Sequence, residues 1–401
     1  MPRVSDRGLL MPASPIRRLV QYADEAKQRG VEVLHLNIGQ PDLLTPDLAE
    51  KALHSYTGKY IPYSHSAGNI SLREKLAEYY KKIGIEISSD DILITTGGSE
   101  AICFAYYSIL NYADEVIVPE PYYANYYGFT TETGARMIPV RSSIETNFAL
   151  PSIEDFEDAL TPQTKAIMLC NPNNPTGHVY TQKELSHIRN LVRKYDLFLI
   201  CDEVYRDFCY DSEHYSVMNL KGIEENTILI DSFSKRYNVC GIRIGAMITR
   251  NKDVIATSMK FAQARLSPPS MGQLIAEALL DTPEEFLKKS ADEYKARRDY
   301  IIPALNEIKG VRSPMPDGAF YSVVELPVDD VDKFCRWLLE EFEYEGATVM
   351  LAPGTGFYTG KKLGVHQVRI AYILEMDKLK KAVRCLKKAL SVYPGRTIDQ
   401  D

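Results

Sequence analysis

Lys235 closes the stretch Ser232-Phe-Ser-Lys235, and a second cation follows in Gly241-Ile-Arg-Ile-Gly245 as Arg243. Two hydroxyls, an amine and a guanidinium at this spacing can hold an anion and attack a carbonyl carbon. A lysine amine becomes nucleophilic once it is partly desolvated. A second anion-binding feature is Gly97-Gly98-Ser99, just ahead of a helical stretch that starts at Glu100. Backbone N–H groups at a helix start, supported by the helix dipole, bind phosphate. Taken singly, each feature has an ordinary reading: a surface loop for the first, a tight turn for the second. Asp202 ends an apolar run over residues 197–201. A carboxylate there either caps the next helix or holds a cationic ligand, because a buried acid needs a partner. Tyr123, in Glu120-Pro-Tyr-Tyr-Ala-Asn125, either packs in the core or offers a face on which a ring can stack.

If they meet, an anion cup, an imine-forming lysine and an acid partner for a ring nitrogen together describe pyridoxal 5′-phosphate. The elements that would bring them together are short apolar runs alternating with amphipathic stretches, the pattern of parallel strands and crossover helices. Strands are expected at residues 91–95, 116–118, 166–169, 197–200, 228–230 and 242–248. Thr181 and Glu184 form a capping box for a helix running to about Tyr195. In open parallel sheets, ligands bind beyond the carboxyl ends of the strands. Residues 96–99, 171–177, 202–203 and 232–243 each follow an apparent strand, so they are expected to converge. Ser232, Ser234 and Arg243 then complete a phosphate cup with Gly98 and Ser99.

A threonine cap and Pro283 at the first helical position, in Asp281-Thr-Pro-Glu-Glu285, start a new long helix. The domain junction is placed there. Residues 1–45 form an N-terminal segment joining a small domain, 46–281 a large cofactor-binding domain and 282–401 the small C-terminal domain. The expected class is α/β: a mostly parallel sheet flanked by helices, plus a smaller α/β domain. The last helix carries Leu379, Val383, Leu386 and Leu390 on one face and lysines on the other, an ordinary solvated helix.

Composition narrows the function. The chain has 401 residues and a formal net charge of −7, which argues against a nucleic-acid partner. No apolar run reaches the roughly 18 residues of a membrane span, and the N-terminal residues lack a signal-like apolar stretch. Seven cysteines without paired spacing argue against a disulfide framework or a zinc site, and a reducing cytoplasm fits.

Several stretches in order resemble the class I/II aminotransferases, the fold-type I family that includes aspartate aminotransferase. They are Asn37-Ile-Gly-Gln-Pro-Asp42, Tyr63 with Gly68 and Leu72-Arg73, Thr96-Gly-Gly-Ser99, Asn171-Pro-Asn-Asn-Pro-Thr-Gly177 and Asp202-Glu-Val-Tyr205. Ser232-Phe-Ser-Lys235, Gly241-Ile-Arg-Ile-Gly245 and Val368-Arg-Ile-Ala-Tyr372 complete the set, over about residues 30 to 390. The resemblance implies that Lys235 holds the cofactor as a Schiff base and that Asp202 pairs with the pyridinium nitrogen. It implies that Tyr205 and Asn174 bond the ring hydroxyl oxygen, that Gly98 and Ser99 bind the phosphate, and that Tyr123 stacks on the ring. Tyr63 resembles the tyrosine that reaches the phosphate of a neighbouring subunit, which implies a homodimer with shared sites. Arg369 resembles the arginine that binds the substrate α-carboxylate, assisted by Asn174 and the backbone at Gly39. The implied reaction is ping-pong transfer of an amino group from an amino acid to a 2-oxo acid, with the freed lysine amine moving the α-proton to the cofactor carbon as general base and acid.

For the substrate, the expectation is aspartate with 2-oxoglutarate. A distal carboxylate needs a second cation, and the candidates are Arg265, in Ala-Arg-Leu-Ser-Pro-Pro269, and Arg17, in Ser-Pro-Ile-Arg17. Tyr123 stands where the best-known aspartate enzymes have tryptophan, and the single tryptophan, Trp337, lies far along the chain. Aromatic or alanine transamination, or carbon–sulfur lysis on the same scaffold, are the alternatives. Ser232-Phe-Ser-Lys235 also fits the Ser-x-x-Lys motif of penicillin-binding enzymes, but the later Lys-Thr-Gly has only Tyr358-Thr-Gly360 as its nearest match.

Overall fold

A computed structural model describes residues 2–360 and 362–398. Its strands are β1 (Glu32–His35), β2 (Ile92–Thr95), β3 (Glu115–Glu120), β4 (Arg136–Arg141), β5 (Thr164–Cys170) and β6 (Phe198–Asp202). They continue with β7 (Thr227–Ser232), β8 (Gly245–Ile248), β9 (Tyr321–Glu325), β10 (Ala347–Met350), β11 (Ala352–Pro353) and β12 (Gln367–Ala371). The central sheet has seven strands in the order β2-β8-β7-β6-β5-β3-β4. Only β8 runs against its two neighbours; the other pairs are parallel.

The inner strands are apolar throughout because both faces are covered. Alternate residues split between two clusters: Ile228 and Ile230 face one side and Leu229 the other, as do Ala166 and Met168 against Ile167 and Leu169. The helix Gly97–Ile109 covers the first face with Ala101, Ile102 and Ala105. Helices Ile70–Lys82 and Gln182–Tyr195 cover the second with Leu72, Leu76, Leu185, Ile188 and Val192. Each such buried side chain is worth roughly 1.5–3 kcal/mol, so apolar area fixes the layers and leaves the strand ends to carry polar residues. The capping box forms: Thr181 Oγ1 accepts from Glu184 N at 3.2 Å, and the Glu184 carboxylate accepts from Thr181 N at 2.7 Å.

Two smaller sheets lie apart from the central one. β1 pairs in parallel with β10, and β12 sits between β11 and β9 in an antiparallel three-stranded sheet. The last helix, Met376–Val392, buries Leu379, Val383, Leu386 and Leu390 and turns Lys380, Lys387 and Lys388 outward. Among the described residues no helix is long and apolar enough to cross a membrane.

Two local expectations are corrected. The strand expected from residue 242 begins only at Gly245; Cys240–Ile242 is a 3-10 turn, and Arg243 has φ 56°. A left-handed arginine cannot extend a strand, and this bend aims its side chain at the sheet end instead. At the junction, Thr282 does not cap the long helix. Its N–H closes the exit turn of the preceding helix onto Leu279 O at 3.0 Å, and Glu284–Asn306 starts after Pro283 without a side-chain cap.

Candidate active site

Five strand ends of the central sheet and β12 deliver polar side chains to one cleft of about 510 Å³, within the usual range for a small-molecule site. β2 ends at Thr95, and the helix Gly97–Ile109 begins at once, with the Glu100 carboxylate accepting from Thr96 N at 2.7 Å. Gly97 has φ 75° and lies under the Arg243 guanidinium. β8 starts so close to this turn that a Cβ on Gly245 would sit 2.5 Å from the Gly97 carbonyl carbon and 2.7 Å from Gly98 N. β7 delivers Ser232 and Ser234, whose hydroxyl oxygens are 2.9 Å apart. Gly98, Ser99, Ser232, Ser234 and Arg243 thus line one corner: helix-start N–H groups, hydroxyls and a guanidinium around an open space.

Lys235 lies one residue further on. Its Nζ donates to Gly39 O at 2.6 Å and lies 3.8 Å from Cys240 Sγ. Burial lowers this amine below its ordinary value of 10.5, which favours the neutral, nucleophilic form. Asp202, at the end of β6, is buried and accepts from Tyr126 Oη at 2.8 Å and from Val204 N at 3.3 Å. Burial pushes its carboxyl up to about 6, as expected of an acid that lacks a cation. The adjacent Glu203 points the other way, accepting from Val217 N at 2.9 Å and Ser216 Oγ at 3.0 Å.

At the opposite end, β12 brings in Arg369, only 2 % exposed. Its Nη1 donates to Asn174 Oδ1 at 3.1 Å and its Nη2 to Asn37 O, while Nε has no partner. The guanidinium carbon lies over the rings of Tyr321 and Phe357 at 4.6 and 5.1 Å. Among the described residues no carboxylate pairs with it. A buried cation supported only by neutral oxygens and rings is built to receive an anion. Asn174 Nδ2 reaches Tyr205 Oη at 3.5 Å, and Tyr205 Oη lies 2.9 Å from Tyr321 Oη. Tyr123 lines the cleft wall, its hydroxyl held by Asn125 Nδ2 at 2.7 Å and its ring edge-on to Tyr126 at 5.3 Å.

The cleft therefore gathers Gly39 and Arg17 as well as the residues above, while two expected residues stand elsewhere in this chain. Tyr63 is 78 % exposed on a surface loop. Arg265 is neutralised by Glu100 at 2.7 Å and donates to Ser66 O at 3.0 Å. Arg17 differs: its side chain makes no bond to another described residue, yet its neighbours are fixed. Ile16 O accepts from Asn37 Nδ2 at 3.2 Å, and Arg18 pairs with Asp332. Pro15 sits so tightly on Gly356 that a Cβ there would lie 2.1 Å from it. Sequence reasoning missed Tyr126 and Tyr321, the partners of Asp202 and Tyr205. Both stand among apolar and aromatic neighbours that read as core.

A mostly parallel α/β sheet with a lysine, an isolated acid and an anion cup at its strand ends defines a cofactor-dependent α/β enzyme. The family model of aminotransferase class I and II matches residues 31–386. An aspartate aminotransferase of Pyrococcus horikoshii is 31% identical over 96% of this chain and 97% of its own length. An aromatic-amino-acid aminotransferase of Thermococcus litoralis is 31% identical, covering 96% and 98%. A solved Thermus thermophilus aspartate aminotransferase mutant superposes with a TM-score of 0.89 at 29% identity, over 97% of this chain and 100% of that one. The chain belongs to the class I and II aminotransferases. It is a transaminase of a family whose members use pyridoxal phosphate.

Proposed function

We propose that this enzyme passes the amino group of L-aspartate to 2-oxoglutarate by a ping-pong mechanism, with pyridoxal 5′-phosphate bound at Lys235. The observation that carries this reading is a single cleft holding a depressed lysine amine, a buried Asp202 whose carboxyl is pushed up to about 6, and a buried guanidinium, Arg369, without an anionic partner among the described residues. The residues fit the cofactor. Gly98, Ser99, Ser232, Ser234 and Arg243 would take its phosphate, and Tyr123 its ring face. Asp202 would take the ring nitrogen, whose positive charge relieves the cost of burying the carboxylate. Asn174 and Tyr205 would take the ring oxygen. When bound, the protonated ring acts as an electron sink for charge developing at the substrate α-carbon.

The protein's own groups then have distinct tasks. Arg369 holds the α-carboxylate bidentately, with Asn174 and the Gly39 backbone fixing its plane. Lys235, whose amine burial pushes below its ordinary value, takes the α-proton as base and gives it up again as acid; positioned proton transfer of this kind is worth roughly 10²–10⁴-fold. Arg17 faces the distal carboxylate, which accounts for a preference for dicarboxylic substrates. Tyr63 serves the phosphate of a second subunit, so the working form is a homodimer. We place the boundary of the small domain near residue 282.

The test is the visible absorption spectrum of the cofactor-loaded protein, before and after L-aspartate alone. Bleaching that 2-oxoglutarate reverses supports the reading. Bleaching by phenylalanine or alanine but not by aspartate rejects the dicarboxylic substrate and keeps the transaminase. Lys235→Ala should lose at least roughly 10²-fold in turnover, and a variant of near-normal rate would remove Lys235 from the mechanism.

A further inference from the structure

We infer that Arg236 and Asp231, which lie behind the cleft and do not line it, form a clamp that positions Lys235 for proton transfer. This rests on the role of Lys235 proposed above. Ser232, Ser234 and Lys235 all lie on the arch between Asp231 and Arg236, whose only helix is the single turn Phe233–Arg236. One helical turn does not hold itself, because the first turn fixes several dihedrals for one hydrogen bond. The arch must be held from outside.

The two ends of the arch are tied directly. Arg236 Nη2 donates to Asp231 Oδ1 at 2.8 Å and Oδ2 at 3.1 Å, and Arg236 Nε donates to Asp207 Oδ2 at 2.6 Å. Asp231 also accepts from Ser232 N at 2.8 Å and from Tyr80 Oη at 2.7 Å. The Arg236 side chain has no solvent exposure, and its guanidinium carbon lies 4.7 Å over the Tyr79 ring. Arg206 adds a second cation, 3.3 Å from Asp231 Oδ2 and stacked 4.7 Å over Tyr80. Two arginines thus meet two aspartates, Asp207 and Asp231, in the interior, with Glu203 3.6 Å from Arg206 Nη1 beside them.

Burying such a cluster of paired groups does not by itself stabilise a fold, since apolar replacements of similar volume are often neutral or better. What the pairs do provide is direction. A forked guanidinium bound to two carboxylates fixes the residue that carries it, and that residue is the covalent neighbour of Lys235. Arg236 points away from the cleft and Lys235 into it. A shift at position 236 therefore moves the base of the lysine side chain, and misplacing a reacting group by about 1 Å can cost about 10²-fold.

The experiment compares Arg236→Met, Arg236→Lys and Arg206→Met in the cofactor-loaded enzyme, with amide hydrogen exchange over residues 232–238 of the ligand-free protein. Arg236→Met should lower kcat about 100-fold with KM changed less than about 3-fold, and should speed exchange in the arch. Arg236→Lys keeps the charge but not the fork, and should show most of the same loss; it decides the matter if Arg236→Met does not fold. Arg206→Met removes a cation from the same cluster without opening the arch, so its kcat should stay within about 3-fold. Wild-type kcat in both Arg236 variants overturns the clamp, as does an equal loss in Arg206→Met. Unchanged exchange over residues 232–238 overturns it too, and that readout stands even if the wild-type protein shows no transamination.

Discussion

At the scale of single residues, the cleft buries ionisable groups at a cost. Asp202 is the clearest case. Burial raises its carboxyl from 3.8 to about 6, so the folded protein keeps a proton that the unfolded chain releases. Stability from this source is complete below the unfolded value and is lost as pH rises through the folded one. Asp202→Asn should therefore stabilise the ligand-free protein at pH 8, by at most roughly 3 kcal/mol, and change little near pH 4. Urea unfolding at the two pH values checks this; an equal effect at both would show that the charge is not responsible. Arg17 makes the second prediction. Arg17 lines the cleft without a side-chain bond to another described residue, while Arg265 is tied to Glu100. Arg17→Gln should lower kcat/KM for aspartate about 10- to 100-fold relative to alanine, the weight of one charged hydrogen bond. Arg265→Gln should leave that ratio unchanged.

At the scale of elements, the site is a consequence of how the strands end. Ile228 to Ile230 and the apolar run before Asp202 read as buried strands, and they place Asp202 and Ser232 at the sheet edge as expected. Those positions were legible because apolar runs stop abruptly at polar residues. Arg243 was expected in the cup, but its backbone was not legible: Ile-Arg-Ile alternates like a strand, whereas Arg243 takes a left-handed turn beside the close approach of β8 to Gly97. Nor could the sequence choose between Arg17 and Arg265, since what separates them is a carboxylate, Glu100, that only tertiary structure brings to one of them. Tyr321 was hidden for the opposite reason: Ala319-Phe-Tyr-Ser-Val-Val reads as core, and one hydroxyl in it faces the cleft. The approach of β8 to the helix start gives a prediction at this scale. A Cβ on Gly245 would meet only backbone, 2.5 Å from Gly97 C, 2.7 Å from Gly98 N and 2.8 Å from Asp231 O. Gly245→Ala should cost roughly 1–3 kcal/mol and weaken cofactor binding by prising the phosphate corner apart. Thermal unfolding and a pyridoxal phosphate titration measure the two effects, and a variant with unchanged affinity would show that the corner does not bind the phosphate.

At the scale of the molecule, the surface around the cleft mouth is too apolar for a free face. Leu44, Tyr60, Ile61, Tyr63, Ile70 and Leu266 are all exposed. Hydrogen bonds tie two of their segments together, Ser66 Oγ donating to Leu266 O at 2.6 Å and Ser270 Oγ to Pro62 O at 2.9 Å, while Asn238 Nδ2 donates to Leu44 O at 3.2 Å. The last contact sets Leu44 beside residues 238–240, which lead into the cleft wall at Cys240. An apolar patch of this kind, rimmed by polar groups, marks an interaction surface. The homodimer proposed above would give this face a second copy as its occupant and would also explain Tyr63, a tyrosine exposed in its own subunit on the loop that carries the patch. The protein should therefore sediment as a dimer at micromolar concentration. Ile61→Asp would bury a charge in that interface, and should yield monomers that bind pyridoxal phosphate at least about 10-fold more weakly, although Ile61 does not line the cleft of its own chain. Tyr63→Phe should keep the dimer and lose about 10-fold in cofactor affinity, the value of one hydroxyl bonded to a charged group. A monomeric Ile61→Asp with wild-type affinity would separate the two ideas: the face would still join subunits, but each site would be complete without its neighbour.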